Sequence, residues 1–320
     1  MYYRNYRIAY KTIEKAEKIF LVIHEKPDGD AVSSVCAMID SLEKIGKEYY
    51  AYCVSPVPSN LCFLPHSEKI NSKMPKDFST FDVIIPLDCG SLSRTALVDE
   101  ISNREKSQKV IEFDHHPRID SYSDIEVREV HAASTTEIIY DFFKKNKINI
   151  NKEKATCILT GLSTDTGNFL YPSTSEKTIK VSSEMMLRGA RLPNIVENTW
   201  RNKSISGMKL WGIAINNLEI NKKYNFAITI ITENDIRTTG ANEEDIEGIS
   251  GFLSNLEDVK GLLMIREDGN GFLKGSFRTA KECIDVSKIA RLIGGGGHSK
   301  AAGFRMEGGL VREGGKWIVV

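Results

Sequence analysis

The spacing of apolar positions changes several times along the 320-residue chain. Residues 6–19 repeat apolar groups at helical spacing and predict an amphipathic helix. "IFLVIH" (19–24) is a short, continuous apolar run, the pattern of a strand buried on both faces. "AVSSVCAMIDSLEKIG" (31–46) returns to helical spacing and stops at Gly46. Further strands are predicted at 48–54, 81–88 and 108–114, with helical or looped crossovers between them. This alternation predicts an α/β fold: a parallel sheet with helices on both faces. Right-handed crossovers would then line the strand C-terminal ends along one edge.

Beyond residue 130 the pattern turns helical, at 134–146, 152–165 and 175–190, and 193–219 reads as helices crossing between units. From 220 it changes again. Strands are predicted at 224–232, 259–268 and 271–279, with helices at 245–256 and 283–294. The expected organisation is a parallel-sheet domain over 1–190, a helical linker over 191–219 and a smaller mixed α/β domain over 220–320, a usual domain size.

Lys plus Arg equals Asp plus Glu, 43 each, so the formal net charge is zero. That balance argues against a broad basic face for long duplex nucleic acid, and leaves room for a local basic pocket. The N-terminal stretch is charged and amphipathic, without the apolar core of a signal peptide. No segment approaches the ~18 apolar residues of a membrane span. The six cysteines are scattered, with no C-x-x-C pair, so free thiols and a cytoplasmic location are expected.

Chemistry-bearing residues fall where the strands end. His24, Asp28 and Asp30 follow the first strand in "HEKPDGD". Asp88 ends the third in "IIPLDCGS", and Asp114, His115 and His116 end the fourth in "IEFDHHP". Asp165 lies in "GLSTDTGNF", at the end of a helical stretch. In open α/β sheets, ligands bind beyond the strand C-termini. One His or Asp after a strand is usually a cap or loop residue, and Asp30 is placed to cap the helix that follows it. The combination is different, because so many buried carboxylates need cations between them. Carboxylate with a minority of imidazole and no thiolate suits Mn²⁺ or Mg²⁺, with Zn²⁺, Fe²⁺ or Co²⁺ fitting less well. The set exceeds the needs of one ion, so two cations sharing a carboxylate are expected, with Asp88 as the bridge.

A second cluster is "GGGGHSKAAGF" (294–304). Its glycines, Gly296 and Gly297 among them, offer backbone N–H groups to an anion, and His298 and Lys300 follow. The spacing is not that of a Walker A loop, and the bland alternative is a flexible turn. Upstream, "KGSFRT" supplies Ser276, Arg278 and Thr279, and arginine matches phosphate geometry best. His66 is expected to be a solvated loop residue, His131 structural, and Met185-Met186 core.

As a set, H-x-x-P-D-x-D, a strand ending in Asp, D-H-H, T-D-T-G and G-G-G-H resemble the DHH phosphoesterases with their DHH-associated C-terminal domain. The resemblance runs from His24 to Phe304. It implies His24 and Asp28 on a first metal, Asp30, His115 and Asp165 on a second, and Asp88 on both. His116 would contact the scissile phosphate or leaving group, and Asp114 would orient the histidines. Ser276, Arg278 and His298, with the backbone of Gly296 and Gly297, would bind the substrate phosphate or terminal nucleotide. The active site would lie in the cleft between the domains, and the resemblance also implies a homodimer. Ile119 stands where many relatives carry Asn, which puts one substrate contact in question.

The implied activity is two-metal hydrolysis of short oligoribonucleotides or linear dinucleotides such as pApA to mononucleotides. The resemblance implies removal of the 3′-phosphate from pAp and hydrolysis of cyclic di-AMP as candidate second activities. An inorganic pyrophosphatase or exopolyphosphatase is the rival within the enzyme class, and a catalytically silent nucleotide sensor the rival outside it.

Overall fold

In the structure, a computed structural model describing residues 2–269 and 271–320, helix α1 (Tyr2–Lys15) leads into strand β1 (Lys18–Ile23). The helix ends earlier than its apolar spacing predicts. The N–H groups of Glu17 and Lys18 donate to one oxygen of Asp82 at 2.7 and 2.8 Å, which turns the chain into the sheet. Helix α2 (Gly29–Lys44), strands β2 (Glu48–Tyr52), β3 (Ile70–Asn71) and β4 (Val83–Leu87), and helix α3 (Val98–Ser102) follow. Strands β5 (Lys109–Asp114) and β6 (Ile125–Arg128) and helices α4 (Thr135–Lys145), α5 (Lys152–Asp165), α6 (Glu176–Leu187) and α7 (Leu192–Thr199) complete the first unit, which ends at Asn202.

The six strands form one sheet in the order β3-β2-β1-β4-β5-β6, parallel throughout. Alternate residues of β1 serve two cores. Ile19, Leu21 and Ile23 pack with α1, α2, α4 and α5, while Phe20 and Val22 pack with Ile84, Val110 and the α3 side. That two-sided burial explains why the sequence shows an unbroken apolar run rather than alternation. The chain winds outward from β1 to β3 and returns past β1 to β4. The strand order therefore reverses between β1 and β4, where an open parallel sheet leaves a crevice beyond its C-terminal ends. Strands β3 and β6 carry no such apolar run because they are short edge strands.

The second unit begins at Lys203. It holds helix α8 (Ile205–Asn216), strands β7 (Glu219–Asn221) and β8 (Phe226–Ile231), and short helices α9 (Glu233–Thr239), α10 (Glu243–Ile246) and α11 (Ile249–Leu253). Strands β9 (Gly261–Glu267) and β10 (Phe272–Arg278), helix α12 (Val286–Leu292), and strands β11 (Gly296–Gly297), β12 (Ala301–Glu307), β13 (Leu310–Glu313) and β14 (Lys316–Val319) follow. The main sheet runs β11-β12-β10-β9-β8-β7 and is antiparallel except for the β8–β9 pair. The 191–219 stretch, expected as a linker, is divided between the units: α7 packs on α5 in the first, and α8 packs on α9, α10 and β8 in the second. Among the described residues no helix is long and apolar enough to cross a membrane. All six cysteines are free thiols.

Candidate metal centre

The loops after β1 and β4 flank the sheet's switch point, and each opens with a ligand type. His24 is the first residue past β1 and is buried. Its Nδ1 lies 2.7 Å from the Glu25 carbonyl. A carbonyl only accepts, so Nδ1 carries the proton and Nε2 presents a lone pair. That Nε2 is buried without a hydrogen-bond partner, 3.7 Å from Asp28 Oδ2 and 3.9 Å from Asp88 Oδ2. A lone pair facing two carboxylate oxygens in a buried site is the arrangement a cation completes.

Asp28 and Asp30 divide their work differently from the sequence expectation. Asp28, not Asp30, caps α2, with its Oδ1 accepting the N–H groups of Asp30 and Ala31 at 3.1 Å each. Its other oxygen is left for the His24 side. Asp30 points instead at the N-terminus of α4, where Oδ2 accepts the Thr135 N–H at 2.5 Å and Oδ1 the Thr136 N–H at 3.0 Å. Two glycines bring α5 close enough for this arrangement. A Cβ at Gly29 would lie 2.4 Å from the Thr164 side chain, and one at Gly161 would lie 2.5 Å from Asp30 Oδ1.

Asp88 sits just past β4 with φ +61°, left-handed backbone that is costly for a residue with a Cβ. Its N–H donates to Phe113 across the sheet at 2.9 Å, and Thr135 Oγ1 donates to its Oδ1 at 2.7 Å. Its two oxygens face different partners. Oδ2 looks to His24, and Oδ1 lies 3.5 Å from His115 Nε2 and 3.5 Å from His116 Nδ1. His115 in turn is 3.2 Å from Asp165 Oδ2, and its Nδ1 lies 3.3 Å from the Ala132 carbonyl. The result is two groups of metal-competent atoms, His24–Asp28–Asp88 and Asp30–His115–Asp165, with Asp88 adjoining both.

Electrostatics express the same crowding. Burial, together with the charges of Asp165 and Asp28, raises the Asp30 carboxyl to about 7. Burial and the neighbouring Asp30 and Asp28 push Asp88 up as well. Burial opposes a charge on His115, but the hydrogen bond and charge of Asp165, with Asp88 and Asp30, lift its pKa overall. The cluster holds more negative charge than its surroundings neutralise, and bound cations would relieve it.

Behind the ligands, Asp114 accepts the His116 N–H at 2.8 Å and Nδ1–H at 2.9 Å through Oδ1, and the Gly90 N–H at 2.5 Å through Oδ2. Buried Arg128 binds Glu112 and the His116 carbonyl, with its Nη1 3.6 Å from Asp114. Thr135, Gly161 and Arg128 were not singled out in the sequence. A charged Glu112 inside the apolar run "VIEFD" and the serine–threonine cap of α4 were the available signals.

In the second unit, Ser276 and Arg278 alternate on β10 and share a face, because successive odd positions point the other way. Gly303 of β12 pairs with Ser276 on one side and Gly296 on the other, and Gly297 pairs with Ala302. The glycine run is therefore a short strand in an antiparallel hairpin rather than a flexible turn. Cβ atoms at Gly295 and Gly297 would meet the Gly303 and Ala301 carbonyls at 2.2 and 2.6 Å. His298 closes the turn, its N–H donating to the Ala301 carbonyl at 2.8 Å. Lys300 is not available to an anion, since its Nζ donates to the carbonyls of Lys281, Glu282 and Ile284. Thr279 is buried and donates to the Lys260 carbonyl.

Three smaller expectations are corrected. His66 is not solvated: its side chain is 12% exposed, with Nε2 3.6 Å from both Asp40 and Glu153. His131 lies exposed in a turn before α4. Met185 is core, but Met186 is 42% exposed.

The bifunctional oligoribonuclease and PAP phosphatase NrnA of Thermus thermophilus is 28% identical over 308 residues, spanning 96% of this chain and 90% of that protein. The protein of the same description from Bacillus subtilis is 25% identical, spanning 92% and 90%. An exopolyphosphatase-related protein from Bacteroides fragilis has a crystal structure that superposes with a TM-score of 0.85 at 26% identity, covering 96% of this chain and 92% of that one. Residues 18–162 match the N-terminal domain of the DHH family and residues 221–313 match the DHHA1 domain, so this chain belongs to the DHH family.

Proposed function

We propose that this protein is a two-metal phosphodiesterase that hydrolyses short oligoribonucleotides or linear dinucleotides such as pApA to mononucleotides. In this reading it also removes the 3′-phosphate of pAp, and cyclic di-AMP is a further candidate substrate. The observation that carries the reading is the division of the Asp88 carboxylate, one oxygen towards His24 and the other towards His115. His24, Asp28 and Asp88 would hold one divalent cation, and Asp30, His115, Asp165 and Asp88 a second, with Mn²⁺ the best match to the donor set and Mg²⁺ or Co²⁺ as alternatives. When bound, such cations supply an activated water and neutralise phosphoryl charge.

The remaining work belongs to the chain. Asp114 fixes the His116 ring through Nδ1, so Nε2 is the nitrogen turned to the substrate side. From there His116 contacts the scissile phosphate or protonates the leaving oxygen. Ser276, Arg278, His298 and the backbone of Gly296 and Gly297 bind a phosphate or terminal nucleotide. Two relatives described as oligoribonuclease and PAP phosphatase, each spanning about nine-tenths of both chains, support the substrate class. The retained donor set argues against a silent sensor, which has no use for every ligand.

The similarity to an exopolyphosphatase-related protein favours one second reading, hydrolysis of polyphosphate or pyrophosphate. Turnover with Mn²⁺ on pAp, pApA, cyclic di-AMP, RNA of two to five nucleotides, pyrophosphate and polyphosphate separates the two. Hydrolysis of pApA and pAp is expected. Cleavage of pyrophosphate or polyphosphate alone would overturn the nucleotide reading.

A further inference from the structure

Arg94 lies outside the ligand set and was not singled out in the sequence, yet the fold brings it to the metal centre. It stands in a 3₁₀ turn, Leu92–Thr95, a few residues beyond Asp88. Its carbonyl accepts the Glu25 N–H at 2.9 Å, which ties this turn to the loop carrying His24 and Asp28. Gly90, at φ +71°, leaves the side chain room. A Cβ at Gly90 would lie 3.2 Å from Arg94 Nη1 and 3.4 Å from His116 Cγ. The guanidinium therefore rests over bare backbone, next to the His116 ring.

Arg104, Arg118, Arg128 and Arg188 of the same unit each pair with a carboxylate. Arg94 does not. Half-buried, its guanidinium makes no hydrogen bond or ion pair among the described residues. The acids around it are already engaged: Asp114 by His116 and Gly90, Asp28 by the α2 N-terminus, Asp88 by Thr135. An arginine keeps its proton throughout the usable pH range and offers five N–H donors in a planar fork. Here those donors are unspent, beside the imidazole that faces the substrate.

We propose that Arg94 is a further catalytic residue, donating hydrogen bonds to an oxygen of the scissile phosphoryl group as negative charge builds on it. The proposal rests on the phosphoesterase reading above. Arg94 transfers no proton. As water oxygen bonds to phosphorus and the P–O bond to the leaving group breaks, that bond's electron pair goes with the leaving oxygen, which is protonated, and Arg94 stabilises the charge on the phosphoryl oxygen by hydrogen bonding alone.

The side chain holds no structural hydrogen bond, so Arg94→Ala and Arg94→Lys should fold and bind Mn²⁺ as the wild type does. With pApA, Arg94→Ala should lose about 10²–10³-fold in kcat with a much smaller change in KM. Guanidinium ion at millimolar concentration should restore part of that loss, which no structural defect would permit. Calorimetry should also show weaker AMP binding to Mn²⁺-loaded Arg94→Ala. If wild-type protein cleaves neither pApA nor pAp, the phosphoesterase reading itself fails. If wild type is active and Arg94→Ala stays within about threefold of it, Arg94 has no catalytic role. Loss without guanidinium rescue, or with a lowered Tm in both variants, makes Arg94 structural and overturns the proposal.

Discussion

Removing divalent cations should make the first unit's stability fall as pH rises, because of Asp30. This carboxyl is fully buried beside Asp165, and its pKa is raised from 3.8 to about 7. The folded protein therefore keeps a proton that the unfolded chain gives up. The stabilisation is complete below about pH 4 and drains away as pH climbs to about 7. The shift corresponds to about 4 kcal/mol, of which about 3 kcal/mol falls between pH 5 and pH 8. For a unit ending at Asn202 that is a drop of roughly 5–10 °C in Tm. The raised pKa of Asp88 pushes the same way. A cation takes the place of the proton, so Mn²⁺ should raise Tm far more at pH 8 than at pH 5. The assay is thermal unfolding of metal-free and Mn²⁺-loaded protein at both pH values, with Asp30→Asn as control. The metal-free variant should show a flatter profile than wild type. A metal-free wild-type Tm that is unchanged or higher at pH 8, or an equal Mn²⁺ shift at both pH values, would refute the reasoning.

Three further substitutions probe the surrounding structure. Gly161→Ala puts a Cβ 2.3 Å from Thr136 Oγ1 and 2.5 Å from Asp30 Oδ1, so Asp30 must move; kcat/KM for pApA should fall about 10²-fold, with weaker Mn²⁺ binding by calorimetry. Asp114→Asn should leave Mn²⁺ content intact while lowering kcat by about 10–100-fold, because the His116 ring loses its carboxylate partner. Lys154→Met takes away the buried partner of Asp40, leaving it Lys44 at 3.2 Å and the Asn151 amide, and should cost about 2–3 kcal/mol in urea unfolding with kcat unchanged.

The sheet and its ligand-bearing loops were legible because β1, β4 and β5 are buried on both faces and so read as apolar runs ending in charge, broken only by Glu112 in β5. The edge strands β3 and β6 and the hairpin of β11 and β12 were not, since short, half-exposed or glycine-rich strands carry no such signal. The residue types at the metal centre were legible, but their division of labour was not. Asp28 and Asp30 are equivalent as helix-start residues in sequence, and only the arrival of α4 decides that Asp28 caps α2 while Asp30 meets Thr135 and Thr136. Arg94 was invisible for a related reason: its significance depends on Gly90 and His116, which the fold alone brings beside it. His66 misled because an L-P-H-S-E stretch resembles solvated loop, whereas the fold sets it against Asp40 and Glu153.

The two-cation reading rests on Asp88, and pApA hydrolysis by Asp88→Ala in Mn²⁺ tests it. The substitution removes the group between the two ligand sets; the backbone stays at φ +61°, but a buried carboxylate crowded by Asp28 and Asp30 is gone, so the fold should survive. AMP release from pApA should fall to roughly one-thousandth of wild type or less, with near-native Tm. An Asp88→Ala protein that still cleaves pApA at the wild-type rate would contradict a mechanism built on two cations joined at Asp88.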